Sequence, residues 1–211
     1  YADTLMQDEL VMYACAEFPV QIMNTNDNNP WDGDEKSDMG DEEYPVGSDW
    51  WAEAIGAYTA WEYSDQCQEL NIGIVDTGVD DYHEDLYGKV AFIGENTVDS
   101  MDHGTHVAGI IAGKDDKITG VAIDAQLAIM KVFSDYDDGA DEGDIIAALE
   151  DSIILGVDAI NMSLGASCGF TYESAPDKEY KNDVYNRIEE AGISLVVAAS
   201  NDYGSGFGSE N

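Results

Sequence analysis

His103-Gly104-Thr105-His106-Val107-Ala108-Gly109 reads as the opening of a helix whose small residues let it lie close against another layer. Upstream, Ile74-Val75-Asp76-Thr77-Gly78-Val79-Asp80 reads as the end of an apolar strand followed by an acidic turn. Working outward, Leu70–Val75, Val90–Ile93, Leu127–Phe133, Val157–Met162 and Ile193–Ala199 are short apolar runs, the pattern of buried strands. His103–Ala112, Asp144–Leu155 and Asp177–Ala191 lie between them and read as helices. Strand–helix alternation of this kind predicts an α/β fold, a parallel sheet with helices on both faces. Ligands of such sheets bind beyond the carboxyl ends of the strands. Asp76 falls at one such end, and Ser163 and Asn201 follow two others.

An acid at the rim of a sheet and a His at the start of a helix can form two parts of a nucleophile-activating system. Imidazole becomes an effective base when a fixed carboxylate orients one nitrogen and stabilises the imidazolium that forms. Asp76 is the candidate orienting acid and His103 the candidate base. Two other chemistries share these residue types. Asp-Thr-Gly also occurs where two carboxylates share a proton, but only one copy is present and the chain does not read as all-β. His103 and His106 with Asp99 or Asp102 could form a metal cluster, although no third ligand or supporting shell is evident.

These two boxes closely resemble the Asp and His boxes of the subtilisin-like serine proteases, the subtilases. Leu195-Val196-Val197-Ala198-Ala199-Ser200-Asn201 resembles that family's strand leading to the oxyanion-hole Asn. The resemblance implies that Asn201 donates to the tetrahedral oxyanion; a turn residue before Tyr203-Gly204 is the plainer reading. Ser200 stands where the family usually has Gly, which would shrink or re-aim the adjoining pocket. His106 is structural by the same resemblance. The family's Gly-Thr-Ser box, with the nucleophile, does not occur in the 211 residues, and the expectation is that the chain stops at Asn211 before it.

Ser163-Leu164-Gly165 resembles the family's substrate-binding edge, to which a peptide adds as an extra strand. Ala166 replaces a common second Gly there. The stretch Ser134–Asp144 corresponds to a loop bordering the acyl-side subsites, and it carries Asp135, Asp137, Asp138, Asp141, Glu142 and Asp144. Those acids could favour Lys or Arg in the substrate, could bind calcium, or could simply share an acidic surface. Asp85, in Asp80-Asp81-Tyr82-His83-Glu84-Asp85-Leu86, matches a frequent calcium ligand of the family. Its partner loop, Lys114–Gly120, is short and holds two Lys.

Composition bounds the partners. Eight Lys+Arg against 45 Asp+Glu give a formal net charge of -37, which repels nucleic acid and anionic membrane and attracts cations. Solubility, or adaptation to a salty or crowded extracellular medium, accounts for such a surface, and folding against this self-repulsion should benefit from salt. No apolar run is long enough to span a bilayer. Cys15, Cys67 and Cys168 show no CxxC or Cys/His spacing and do not form a disulfide framework.

Three segments are expected. Residues 1–22 resemble the end of an inhibitory propeptide, through Tyr13-Ala14-Cys15-Ala16-Glu17-Phe18-Pro19; an ordinary terminal strand is the alternative. Residues 23–48 form an acidic linker rich in Asn, Asp, Gly and Pro. Residues 49–211 form part of a subtilisin-like three-layer catalytic domain, starting with a helix from Trp50 that Asp49 caps and whose aromatic residues anchor it in the core. The implied protein is an extracellular or surface-held serine endopeptidase that acts on polypeptides, is inhibited by its own propeptide and carries structural calcium. Without the nucleophile, and with a sheet edge left bare, the 211 residues alone are expected to fold poorly and to be inactive. A catalytically inactive subtilase-like binding or regulatory module is the alternative.

Overall fold

A computed structural model describes residues 19–22, 52–53, 55–63, 67–93, 97–114, 119–135, 139–165 and 178–198. Its centre is a five-stranded sheet in the order β3-β4-β2-β6-β8, formed by β2 (Asn71–Asp76), β3 (Val90–Ile93), β4 (Gln126–Lys131), β6 (Ala159–Met162) and β8 (Ser194–Val197). Every pairing in it is parallel. The central strands β2 and β4 are short apolar runs because both their faces are covered, whereas Val196 and Val197 of the edge strand β8 are exposed.

Side-chain alternation divides the core. On one face Ile74, Leu127 and Ile129 pack with Val107, Ala108 and Ala112 of helix α2 (His103–Ala112). On the other, Val75, Ala128, Met130 and Ile160 pack with Ile145, Ile146 and Leu149 of α3 (Glu142–Leu155) and Val184 and Ile188 of α4 (Lys178–Glu190). This gives three layers, and each fully buried Leu or Ile contributes about 1.5–3 kcal/mol. Gly156, in the left-handed conformation, ends α3 by donating its N–H to the Ser152 and Ile153 carbonyls.

The N-terminal helix departs from its sequence reading. Helix α1 spans Ala57–Tyr63, and only Ala52–Glu53 before it are helical among the described residues. Gly56, at φ +73°, separates the two and breaks the single helix expected from Trp50. Tyr58 stacks edge-on against Trp61 but stays exposed, while the Trp61 indole donates to the Val121 carbonyl. Asp49 and Trp50 lie outside the described residues, as do the acidic stretch 23–48, Cys15 and Cys168.

A second sheet stands apart from the first. Strand β1 (Pro19–Ile22) lies between β5 (Gly139–Asp141) and β7 (Leu164–Gly165), antiparallel to both.

Candidate active site

Across the parallel sheet the chain moves from β2 towards β4 and β3, then returns to build β6 and β8 on the other side. The crevice of such a sheet opens where the direction reverses, at the carboxyl ends of β2 and β6. Asp76 is the last residue of β2, and Ser163 directly follows β6.

Asp76 is 1% exposed. Burying a carboxylate is costly unless it is hydrogen-bonded, and Asp76 Oδ1 accepts from the Thr77 N–H at 2.7 Å and contacts His103 Nδ1 at 2.7 Å. Its Oδ2 is buried with no hydrogen-bond partner among the described residues. His103 is the first residue of α2. A proton on Nδ1 directed at Asp76 leaves Nε2 with its lone pair, the tautomer a general base requires. His106, one turn on, is exposed.

The close approach of α2 to the β2 loop depends on glycine. A β-carbon on Gly104 would lie 2.2 Å from the Gly78 carbonyl oxygen and 3.2 Å from Asp76 Oδ1. Gly78 itself is at φ +112°, where a β-carbon would meet the Thr97 carbonyl oxygen at 2.4 Å.

Sequence reasoning missed the groups that tie these pieces together. Asp99 Oδ1 accepts from the Thr77 hydroxyl at 2.8 Å and the Met101 N–H at 3.0 Å. Its Oδ2 accepts from the Thr105 N–H at 2.8 Å and the Thr105 hydroxyl at 2.6 Å. Burial pushes the Asp99 carboxyl upward, but the bonds from Thr105, Met101 and Thr77 together hold it below the usual carboxylate range. The only signal in the sequence was an acid shortly before a helix start, with Thr77 next to Asp76 and Thr105 two residues after His103.

Leu164 and Gly165 form β7, an edge of the second sheet, and Ser163 lies between β6 and β7. Gln21 lies opposite Gly165, and Ile22 opposite Leu164. On the far side, Pro19, Val20 and Gln21 lie opposite Asp141, Ala140 and Gly139. The Asn161 side-chain amide donates to Ser163 Oγ at 3.0 Å. A chain segment thus runs between the candidate substrate edge and the acidic loop, hydrogen-bonded on both sides. Within that loop Asp135 accepts from Lys131 and Ser100, and these two bonds hold its carboxyl below the usual range. Asp141 and Asp144 are exposed; Asp137 and Asp138 lie outside the described residues.

Asp85 is 4% exposed, in a short 3-10 turn (Glu84–Leu86), and its Oδ1 is buried without a hydrogen-bond partner among the described residues. Its carbonyl accepts from the Lys114 N–H at 3.0 Å, so the expected partner loop does begin beside it. The Lys114 ammonium turns instead to Asp124, at 2.7 Å. Asp85 therefore offers one buried oxygen left without a hydrogen bond among the described residues. Among the described residues no group of three or more His, Cys, Asp or Glu could hold a metal. Asn201, and residues 115–118 of the partner loop, lie outside the described residues.

Residues 68–210 match the model of the subtilase family. The chain is 38% identical over 139 residues to Subtilisin-like protease 7 of Trichophyton tonsurans, covering 61% of this chain and 32% of that protein. Against Subtilisin DY of Bacillus licheniformis it is 37% identical over 144 residues, 65% of this chain and 49% of that one. Against the minor extracellular protease Epr of Bacillus subtilis it is 31% identical over 160 residues, 72% and 23%. Among solved structures, the prenylagaramide maturation protease PagA superposes with a TM-score of 0.57 at 25% identity, covering 68% of this chain and 50% of that chain. The chain spans about a third of the length of the first of these relatives.

Proposed function

The chain belongs to the subtilase family, and on that premise we propose that the whole protein is a serine endopeptidase working by Ser-His-Asp acyl transfer. The contact between Asp76 Oδ1 and His103 Nδ1 carries this reading. Asp76 fixes the imidazole tautomer and stabilises the imidazolium. His103 Nε2 takes the proton of the attacking serine and returns it to the leaving amine. The serine comes from polypeptide beyond these 211 residues, which contain no Gly-Thr-Ser. Asn201 donates to the oxyanion as the tetrahedral intermediate forms.

Polypeptide substrates add as a strand along Ser163-Leu164-Gly165, with Gly139–Asp141 on their other side. The occupation of that position by β1 supports this binding mode, since main-chain bonds on both edges are what strand addition provides. It equally supports residues 1–22 as an inhibitory propeptide whose end lies in the groove. The acids beside the groove, Asp141 foremost, would favour basic side chains in the substrate; a peptide-library profile with no preference for Lys or Arg would reject that. Calcium, held in part by Asp85, would stiffen the turn after Asp76. An extracellular or surface location follows the likeness to relatives such as the minor extracellular protease Epr. No helix among the described residues is long and apolar enough to cross a membrane.

The test is covalent labelling of the full-length protein with a fluorophosphonate, which reacts only with an activated serine. Labelling that disappears in His103→Ala is the expected result. An unlabelled but folded protein that still binds peptides would identify a binding module instead.

A further inference from the structure

Asp99 joins the two segments that carry the site, and we propose that it is the positioning residue that holds His103 against Asp76. The inference rests on the roles assigned above to Asp76 and His103. Four donors converge on this one carboxylate: the Thr77 hydroxyl from the segment after Asp76, the Met101 N–H, and both the N–H and hydroxyl of Thr105 from helix α2.

The two threonines form a reciprocal exchange. Thr77 Oγ1 accepts the Gly104 N–H of α2 at 2.8 Å, and Thr105 Oγ1 accepts the Asp80 N–H of the β2 loop at 2.9 Å. Each segment therefore holds the other's backbone through a hydroxyl. An ionised carboxylate only accepts, so both hydroxyl protons must point at Asp99. Their lone pairs are then left facing the two backbone N–H groups. One negative charge thus sets the polarity of both cross-links.

The helix start needs this support. The residue at its N-cap, Asp102, is left-handed at φ 63° and makes no side-chain cap bond. The Gly104 and Thr105 N–H groups, which a capping side chain would ordinarily take, go to Thr77 and Asp99 instead. His103 stands between Asp102 and Gly104, so its ring is placed by the same bonds. Displacing a catalytic group by about 1 Å can cost about 10²-fold in rate.

The test uses the full-length protein with Thr105→Val, Thr105→Ser and Asp99→Asn. Thr105→Val keeps shape but removes the hydroxyl. Asp99→Asn puts donors where two donors already point. Both are expected to lower kcat about 10- to 100-fold with KM within about twofold, and Thr105→Ser to recover most of the rate. The downfield proton resonance of His103 Nδ1 should shift or broaden in Thr105→Val and return in Thr105→Ser. Thr77→Val and Thr77→Ser examine the other arm should a Thr105 variant fail to fold. Folded Val and Asn variants with wild-type kcat, or a change in KM alone, would overturn the inference. If the wild-type protein does not hydrolyse peptides, the protease reading fails by itself, and the His103 resonance decides this one: an unchanged line in folded Thr105→Val and Asp99→Asn refutes the clamp.

Discussion

Gly104 packs so tightly on Gly78 that a β-carbon added to it would stand 2.2 Å from the Gly78 carbonyl oxygen. No side chain can give way there, because the obstacle is backbone. Gly104→Ala must lift the start of α2 from the loop after β2, taking His103 from Asp76. Overpacking of this kind costs about 1–3 kcal/mol. The expected outcome is a lowered melting temperature and a loss of about 10²-fold in kcat for the full-length protein. Wild-type turnover in Gly104→Ala would show that the close approach is not needed.

Strand β1 pairs through Gln21 with Gly139 on one side and Gly165 on the other. Proline at position 21 removes an N–H and fits a central strand badly. Gln21→Pro should weaken the hold of this segment on the groove. The full-length protein is then expected to show a shorter lag before peptide hydrolysis, or a higher initial rate, with kcat of the mature enzyme unchanged. An identical progress curve would remove β1 from any inhibitory role.

Acid should release the Asp99 clamp late. Its carboxyl is held below the usual range, so between its folded value and about 3.9 the unfolded chain binds the extra proton. The stabilisation is therefore complete above about pH 4 and is lost as pH falls through the lower, folded value. Denaturant melts from about pH 5 to about pH 2.5 should show wild type more stable than Asp99→Asn at the upper end, with the gap closing at the lower. A gap that widens on acidification would reverse the sign of the argument.

The Asp76 and His103 positions were legible because each lies in one contiguous stretch, with an apolar run or a small-residue helix to place it. The three-layer sheet was legible for the same reason, since strands buried on both faces leave plain apolar runs such as Leu127–Phe133. Asp99 was not legible as a clamp: its four donors sit on Thr77, Met101 and Thr105, and no local periodicity links them. Helix α1 was misread because a single left-handed Gly56 outweighed the aromatic spacing around it. Of residues 1–22 only 19–22 are among the described residues, where they form β1, and nothing in spacing could have placed Ile22 opposite Leu164. Asn201 lies outside the described residues.

Calcium and general screening are separable. With a net charge of -37, any salt should raise stability by relieving self-repulsion. A site at Asp85 adds a second effect. Micromolar to millimolar calcium is expected to raise the melting temperature of the full-length protein beyond sodium chloride of equal ionic strength, and Asp85→Asn to abolish only that excess. Equal responses to the two salts would leave the buried Asp85 oxygen without a cation.

The central claim is that Asp76 and His103 act together as the base for a serine nucleophile. Steady-state hydrolysis of a peptide substrate by the full-length protein, wild type against Asp76→Asn, tests it most directly. An amide in place of the carboxylate favours the wrong imidazole tautomer, and the account predicts a fall of about 10⁴-fold in kcat with little change in KM. A folded Asp76→Asn protein that retains wild-type kcat would contradict it.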